Sequence, residues 1–372
     1  MSFTFVTPPE ILFGHDQSAK TLEVARRFGS RVFLVTGGKS FDALPVAPLL
    51  SGLPRWSVSG EPDVETVDEG VRRCGEADVV LAVGGGSVMD AAKAVAGVVA
   101  NGGSVRDFLE QVGDRKLAKP PLPLVAVPTT AGSGSEATKN AVIRVPDLKV
   151  KRSIRHDLLI PRVAIVDPRL AAAAPREVAA SAALDAFTHL LEGYVSTGAQ
   201  PTTDALALPG LALAAEGLKG IASGKDAFGS MSQASLWGGM VLANAGLGAV
   251  HGLVAPLGGR CAIPHGIGCA CLLADTVRVN LAALRARAPQ SPALGRYERA
   301  AQALGLKTAD DLLQLLAGYR KTFNLPALSD RGLTGQDLAP IVQASRGGSM
   351  RFNPVELSDE ELAGILRAAM AP

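Results

Sequence analysis

From Arg31 to Pro168 the chain alternates short apolar runs with amphipathic stretches. "RVFLVT" (31–36), "ADVVLAVGGGS" (77–87), "LPLVAVPTT" (122–130) and "RVAIVDP" (162–168) are rich in Val, Leu and Ile and bounded by Gly, Pro or Thr. Runs of that length and composition predict β-strands. Around them, 16–28, 64–75 and 88–100 space their apolar residues as helices do. Strands apolar at almost every position, alternating with helices, predict a parallel sheet covered on both faces.

Near residue 175 the pattern changes. Beyond "VDPRLAAAAPREVAASAALDAF" the apolar positions keep helical spacing to the end, where "SDEELAGILRAAM" places Ser358 as an N-cap before an acidic first turn. The expectation is an α/β plus all-α chain: a Rossmann-like parallel-sheet domain over 1–175 and an all-helical domain over 176–372. One stretch, Ala227 to Gly259, contains no Asp, Glu, Lys or Arg and is long enough to span a bilayer. Ser230, Ser232, Gln233, Ser235, Asn244 and His251 interrupt it, so it reads as the central helix of a domain in water.

A length of 372 residues fits two domains. A net charge of +2 gives no reason to expect a nucleic-acid or membrane partner. Cys74, Cys261, Cys269 and Cys271 are too few and too uneven for a disulfide framework. They read as reduced thiols of a cytoplasmic protein. "MSFTFVTPPEILFG" lacks the basic region, apolar core and cleavage site of a signal peptide.

Two loops of small residues follow predicted strands. "LAVGGGSVMDAAKAV" (81–95) runs through three glycines and Ser87 into a helix. Glycines let backbone amides approach a phosphate, and the helix start adds donors and a positive dipole. The spacing is neither GxGxxG nor a Walker loop, so a plain tight turn fits as well. "PTTAGSGSEAT" (128–138) forms a second such loop, at the strand end where open α/β sheets bind ligands. The first strand ends "LVTGGKS", where dinucleotide folds often carry an acidic residue for the ribose hydroxyls. Gly37 and Gly38 instead leave space, while Lys39 and Ser40 offer a cation and a donor. That suits a 2′-phosphate; a glycine turn with a solvated lysine is the plainer alternative.

"LDAFTHLLEGY" (184–194) sets Asp185 and His189 one helical turn apart, able to reach one ion. His189, His251 and His265 are three of only five histidines and lie in surroundings poor in charge. Buried imidazoles and a carboxylate need partners. A shared divalent cation satisfies all four, and the donor set suits Fe2+ or Zn2+ with a position open for a substrate oxygen. His15 and His156 lack such company and read as turn or surface residues.

Together, "GGGSVMDAAK", "PTTAGSGSEATKNAVI", "DAFTHLLEGYVS" and "VHGLVAPLGGRCAIPHG" resemble the iron-containing (group III) alcohol dehydrogenases, in family order and spacing over essentially the whole chain. The resemblance implies a dehydroquinate synthase-like architecture, a homodimer or larger homo-oligomer, and hydride transfer between a nicotinamide and a small alcohol or aldehyde at a metal. It assigns Asp185, His189, His251 and His265 as metal ligands, and through the metal as the catalytic set. It further places Gly85, Gly86, Ser87 and Asp90 at the pyrophosphate and Thr130, Ser133, Asn140 and Lys151 at the nicotinamide and its ribose. Gly37 stands where NAD-preferring members often have Asp, which favours NADP(H) over NAD(H).

Two departures bear on chemistry. Relatives often carry a histidine one turn after the position of His251, where this chain has Ala255; a proton relay is thereby missing. Cys269, Ala274 and Asp275 stand where relatives often have Asn, Pro and His. Alternatives of the same architecture are reductases of maleylacetate, phosphonoacetaldehyde or hydroxy acids, for which Arg260, Arg346 and Arg351 are candidate anion-binding residues. A dehydroquinate-synthase-like lyase, and a non-catalytic binder of nucleotide and metal, complete the set.

Overall fold

The computed structural model describes residues 2–261 and 263–371, and of Lys39 the backbone only. The chain divides into two compact units, Val6–Pro175 and a unit from Arg176 onward that also takes in the segment up to Phe5.

Among its described residues the first unit has strands β1 (Glu10–Phe13), β2 (Val32–Gly37), β3 (Arg55–Val58), β4 (Val79–Gly84), β5 (Leu124–Pro128), β6 (Asn140–Val145), β7 (Val150–Arg155) and β8 (Val163–Val166). Its helices are α1 (Thr21–Arg26), α2 (Lys39–Asp42), α3 (Val64–Cys74), α4 (Gly86–Asn101) and α5 (Pro168–Ala171). Six strands make a parallel sheet in the order β1-β8-β5-β4-β2-β3, and β6 and β7 form a separate antiparallel hairpin.

Successive side chains of a strand point to opposite faces, and here each face has its own core. Phe33, Val35, Val80, Ala82 and Ala126 join Val67 of α3 and Val88 and Val95 of α4. Val32, Leu34, Val79, Leu81, Val125 and Val127 join Val24 and Ala25 of α1. With both faces buried, β2, β4 and β5 have no side facing water, which is why they read as unbroken apolar runs. The chain places β3 on one side of β2 and then β4 on the other, a topological switch point at which open sheets bind ligands. The carboxyl ends of β2, β4 and β5 are neighbours there: Thr36 pairs with Val83, and Gly84 with Pro128.

The second unit holds α6 (Arg176–Val195), α7 (Pro201–Ser223), α8 (Phe228–Ala245), α9 (Ala249–Cys261), α10 (His265–Arg287), α11 (Pro292–Ala303), α12 (Ala309–Thr322), α13 (Leu338–Ala344) and α14 (Asp359–Met370), with no strand among its described residues. Ser358 caps α14 in a reciprocal capping box with Glu361.

The uncharged stretch 227–259 is not one central helix. It is α8 and α9, bent by 98° at a short break. Gly246 sits there at φ 68°, and a Cβ on it would lie 2.5 Å from the Phe352 ring. Both the left-handed backbone and the lack of room require glycine. By length and composition alone α7 and α10 are apolar enough to cross a membrane. Each has a polar side chain engaged within the unit: Asp204 of α7 pairs with Arg296 of α11, and Asn280 of α10 bonds Tyr297 and Asn353.

Candidate metal centre and nucleotide loops

Helix α6 carries Asp185, His189 and Glu192 at i, i+4 and i+7, one face of a helix. Helix α9 brings His251 near its start, and α10 opens on His265. Asp185, His189 and His251 are buried, and His265 is partly exposed. One ligand atom from each of the four lies within 4.8 Å of the others. Asp185 Oδ1 is the hub, 3.3 Å from His251 Nε2, 3.5 Å from His265 Nε2 and 3.7 Å from His189 Nε2. Two O or N donors bound to one ion at about 2.1 Å with near-tetrahedral angles are about 3.4 Å apart. The spacing therefore fits a single divalent cation, and the hard carboxylate with imidazoles fits iron or zinc.

Glu192 holds this arrangement in place. Its Oε2 accepts from His251 Nδ1 at 2.6 Å, which turns Nε2 toward Asp185. Its Oε1 accepts from the Val250 amide at 2.7 Å, satisfying a donor at the start of α9. The preceding residue must be small, because a Cβ on Gly248 would lie 2.8 Å from Glu192 Oε1. Burial opposes charge on Asp185, yet the imidazoles of His189, His265 and His251 hold its carboxyl well below the usual range. Burial also disfavours a charged His251, but Cys269, Asp185 and Glu192 raise it well above an ordinary imidazole.

In the first unit, α4 starts at Gly86 with Gly85 at its N-cap and no side chain capping it. A Cβ on Gly85 would lie 3.2 Å from Thr130 Oγ1, and one on Gly86 3.0 Å from Ser133 Oγ. The fold thus brings Gly85, Gly86 and Ser87 together with Thr130 and Ser133 at a helix N-terminus, a surrounding that suits a pyrophosphate.

Asp90 is spent on the protein itself: Oδ1 accepts from Ser135 Oγ at 2.9 Å and Oδ2 from the Val142 amide at 3.1 Å. Beside it, the fully buried Lys93 donates to Ser135 Oγ, Thr138 Oγ1 and Asn140 O at 3.0, 2.7 and 3.1 Å. These contacts tie α4 to the second loop and the hairpin. Burial pulls the Lys93 amine down to about 8 against the pull of Asp90 and Glu136, and burial pushes Glu136 up to about 7. Asn140 Oδ1 is buried without a hydrogen-bond partner among the described residues, an acceptor that a ligand donor would satisfy. Lys151 lies four rungs along the ladder, opposite Arg144, and pairs with Glu61 at 2.5 Å.

At the end of β2, Gly38 has open space where a side chain would be, and Gly37 faces Ser40. The Lys39 side chain lies outside the described residues. A cation missed by sequence reasoning stands here. Arg55 of β3 donates to Thr36 Oγ1 at 2.8 Å and to Gly38 O at 3.2 Å, pairs with Asp42 at 2.5 Å, and stacks over Phe41. Nothing in "PRWSVS" signals this, since it is strand pairing that sets Arg55 beside β2. Glu192 was also missed, although its spacing of three from His189 was visible.

Of the anion-binding candidates, Arg260 pairs with Asp337 and Arg346 with Asp359, while Arg351 is exposed. His15 is exposed, and His156 accepts from the Leu158 amide as an N-cap. All four cysteines are free thiols.

Residues 8–168 match the iron-containing alcohol dehydrogenase family and 179–370 its C-terminal region. A long-chain-alcohol dehydrogenase of Geobacillus thermodenitrificans is 42% identical, over 57% of this chain and 55% of that protein. A lactaldehyde reductase of Escherichia coli is 31% identical over 94% of this chain and 95% of its own length. A solved sulfoacetaldehyde reductase from Bifidobacterium kashiwanohense in complex with NAD+ is 28% identical with a TM-score of 0.86, covering 100% of this chain and 99% of that one. With both its units matched along almost their whole length, this chain belongs to the iron-containing alcohol dehydrogenase family.

Proposed function

We propose that the chain transfers hydride reversibly between a nicotinamide and the carbonyl carbon of a small aldehyde or ketone, with NADP(H) preferred to NAD(H). The observation that carries this is the convergence of Asp185, His189, His251 and His265 within 4.8 Å, in a chain whose other unit presents two glycine-rich loops at a sheet switch point. A divalent cation held by the four residues, iron by family or zinc by donor set, supplies Lewis acidity to an alcohol or carbonyl oxygen.

The chain's own side chains then do four things. Glu192 fixes which nitrogen of His251 faces the site. Asp185 gathers the three imidazoles. The amides of Gly86 and Ser87 serve the cofactor phosphates. Asn140 Oδ1 offers an acceptor to the cofactor's ribose or carboxamide donors. Ala255, one turn after His251, carries no proton, so the proton passes through water or a ribose hydroxyl. Gly37, Gly38, Ser40 and Arg55 leave space and positive charge for a 2′-phosphate. A cytoplasmic homodimer or larger homo-oligomer, with no nucleic-acid or membrane partner, is part of the proposal.

The test is an anaerobic reduction screen over an aldehyde panel, with NADH and NADPH, on protein loaded with iron or zinc. Full activity and metal content in Asp185→Ala or His265→Ala would overturn the metal assignment. Absence of turnover with either cofactor would instead favour a nucleotide- and metal-binding protein.

A further inference from the structure

Helix α9 begins just past the 98° bend, so the direction of α8 does not set where it starts. The first amides of a helix have no partner within it. Here three of them are taken by two side chains. Glu192 accepts from Val250 and His251, and Asn353 Oδ1 accepts from Ala249 at 3.0 Å. Gly252 then bonds back along the chain, to Gly248 O at 2.9 Å. Both caps converge on Gly248, where a Cβ would lie 2.8 Å from Glu192 Oε1 and 2.9 Å from Asn353 Oδ1.

Asn353 is itself held. It is buried, and its amide faces that of the buried Asn280 on α10. Asn353 Nδ2 donates to Asn280 Oδ1 at 2.8 Å and to Val355 O at 2.7 Å. Asn280 Nδ2 donates to Asn353 Oδ1 and to the Tyr297 hydroxyl, both at 3.2 Å. With both ends engaged twice, a flipped Asn353 amide would set a donor against the Ala249 amide. The residues before it grip the same region. Phe352 packs against Gly246, and its carbonyl accepts from the Thr197 amide at 3.0 Å. A Cβ on Gly252 would lie 2.8 Å from Met350 Cε. His251 lies between Ala249 and Gly252, so Met350–Asn353 holds α9 on both sides of a cluster residue.

A pair of asparagines can simply fill a polar gap in a core. These two sit where the first turn of α9 carries His251 and has no other side-chain cap than Glu192. Glu192 touches the His251 ring, whereas Asn353 acts through the backbone of α9. We propose that Asn353, braced by Asn280, is a positioning residue of the metal centre, fixing the first turn of α9 and with it the reach of His251 to Asp185. The inference rests on the metal site proposed above, and the test separates the two.

The full chain is stripped of metal and titrated with Co2+ against a competing chelator, alongside Asn353→Ala, Asn280→Ala and Ser358→Ala. Ser358 caps α14 in the same unit and serves as the control for a lost helix cap. Visible d–d bands report the geometry of bound cobalt, and unfolding midpoints with and without Co2+ report binding to the folded state. Asn353→Ala is expected to weaken cobalt binding about tenfold, the lower end of what the outer partners of a ligand contribute. It is also expected to shift the d–d bands and to shrink the cobalt-induced rise in midpoint. Asn280→Ala, which keeps the Ala249 bond, is expected to show a smaller loss of the same kind, and it decides the matter if Asn353→Ala does not fold. Ser358→Ala is expected to lower the metal-free midpoint alone. Parental cobalt affinity in both asparagine variants, or an equal loss in Ser358→Ala, overturns the positioning role and leaves the metal site intact. No cobalt binding by the parent overturns the site and this proposal with it.

Discussion

Glu192 Oε2 lies 2.6 Å from His251 Nδ1, and this contact selects the imidazole nitrogen that faces Asp185. The same carboxylate receives the amides of Val250 and His251, so helix start and ligand orientation depend on one residue. Outer partners of this kind are worth about 10–100-fold in metal affinity. Glu192→Ala is expected to weaken metal binding by that factor in competition with a chelator. It also orphans buried amides, each costing about 1–3 kcal/mol. Glu192→Gln, which can still accept from the amides, is expected to recover most of the stability but not the affinity. Equal affinities in all three proteins would show that His251 is oriented by its packing alone.

Under the proposed function, cofactor choice is decided at the end of β2. Gly38 leaves open space and Arg55 reaches across from β3 to the Gly37 and Gly38 carbonyls. Arg55→Ala is expected to raise KM for NADPH by about tenfold, the value of one hydrogen bond to a charged group, with KM for NADH little changed. Because Arg55 also braces Thr36 and Asp42, the ratio of the two constants is the informative quantity. A purely structural role moves both alike. Gly37→Asp is expected to reverse the preference by repelling the 2′-phosphate. A wild type that prefers NADH would refute both expectations.

The four central strands were legible because burial on both faces leaves them apolar throughout. β1 and β3 were not, being four-residue edge strands, and β3 has every second residue exposed. The β6–β7 hairpin alternates as a half-buried ribbon, "NAVIRV", and was given no element from the sequence, since Arg144 and the charged residues of β7 interrupt the apolar run. The break between α8 and α9 was hidden because composition reports apolarity, while the bend depends on the room left by Phe352 at Gly246. Asp185, His189, His251 and His265 were legible because imidazole and carboxylate are rare in apolar surroundings. Asp90 was placed on the pyrophosphate loop and its following helix, and its oxygens accept from Ser135 and Val142, contacts that sequence does not announce. Nothing along the chain marks which partner a carboxylate will meet after folding.

Lys93 and Glu136 give stability a distinct pH profile. Glu136 is pushed from 4.5 up to about 7, so between those values the folded state holds more protons than the unfolded chain. Stability therefore falls as pH rises through that window. Lys93 is pulled from 10.5 down to about 8, so the unfolded chain holds more protons there and stability rises again with pH. A trough between about 7 and 8 follows. Urea midpoints across pH, taken as variant minus wild type, cancel the metal centre's own titration. Glu136→Gln is expected to remove the acid limb and Lys93→Met the alkaline one, the latter at a general cost from three lost hydrogen bonds. A difference curve independent of pH would mean that both groups remain charged when buried.

Ala255 stands one turn after His251 on α9 and is partly exposed. Under the proposed function, and with no titratable side chain at that position, proton transfer would depend on water or the cofactor. Under that proposal Ala255→His would add an imidazole one turn after His251, a group that ordinarily titrates near about 6.5. A positioned general acid–base is worth about 10²–10⁴-fold at best, and an unsupported one is expected to give the lower part of that range. The expected signature is a new inflection near pH 6.5 in kcat/KM for aldehyde reduction, with metal content unchanged. A solvent isotope effect that shrinks in the variant would show the water route being replaced. An identical pH profile in both proteins would mean that Ala255 does not face the reacting oxygen, and that the proton path runs elsewhere on the chain.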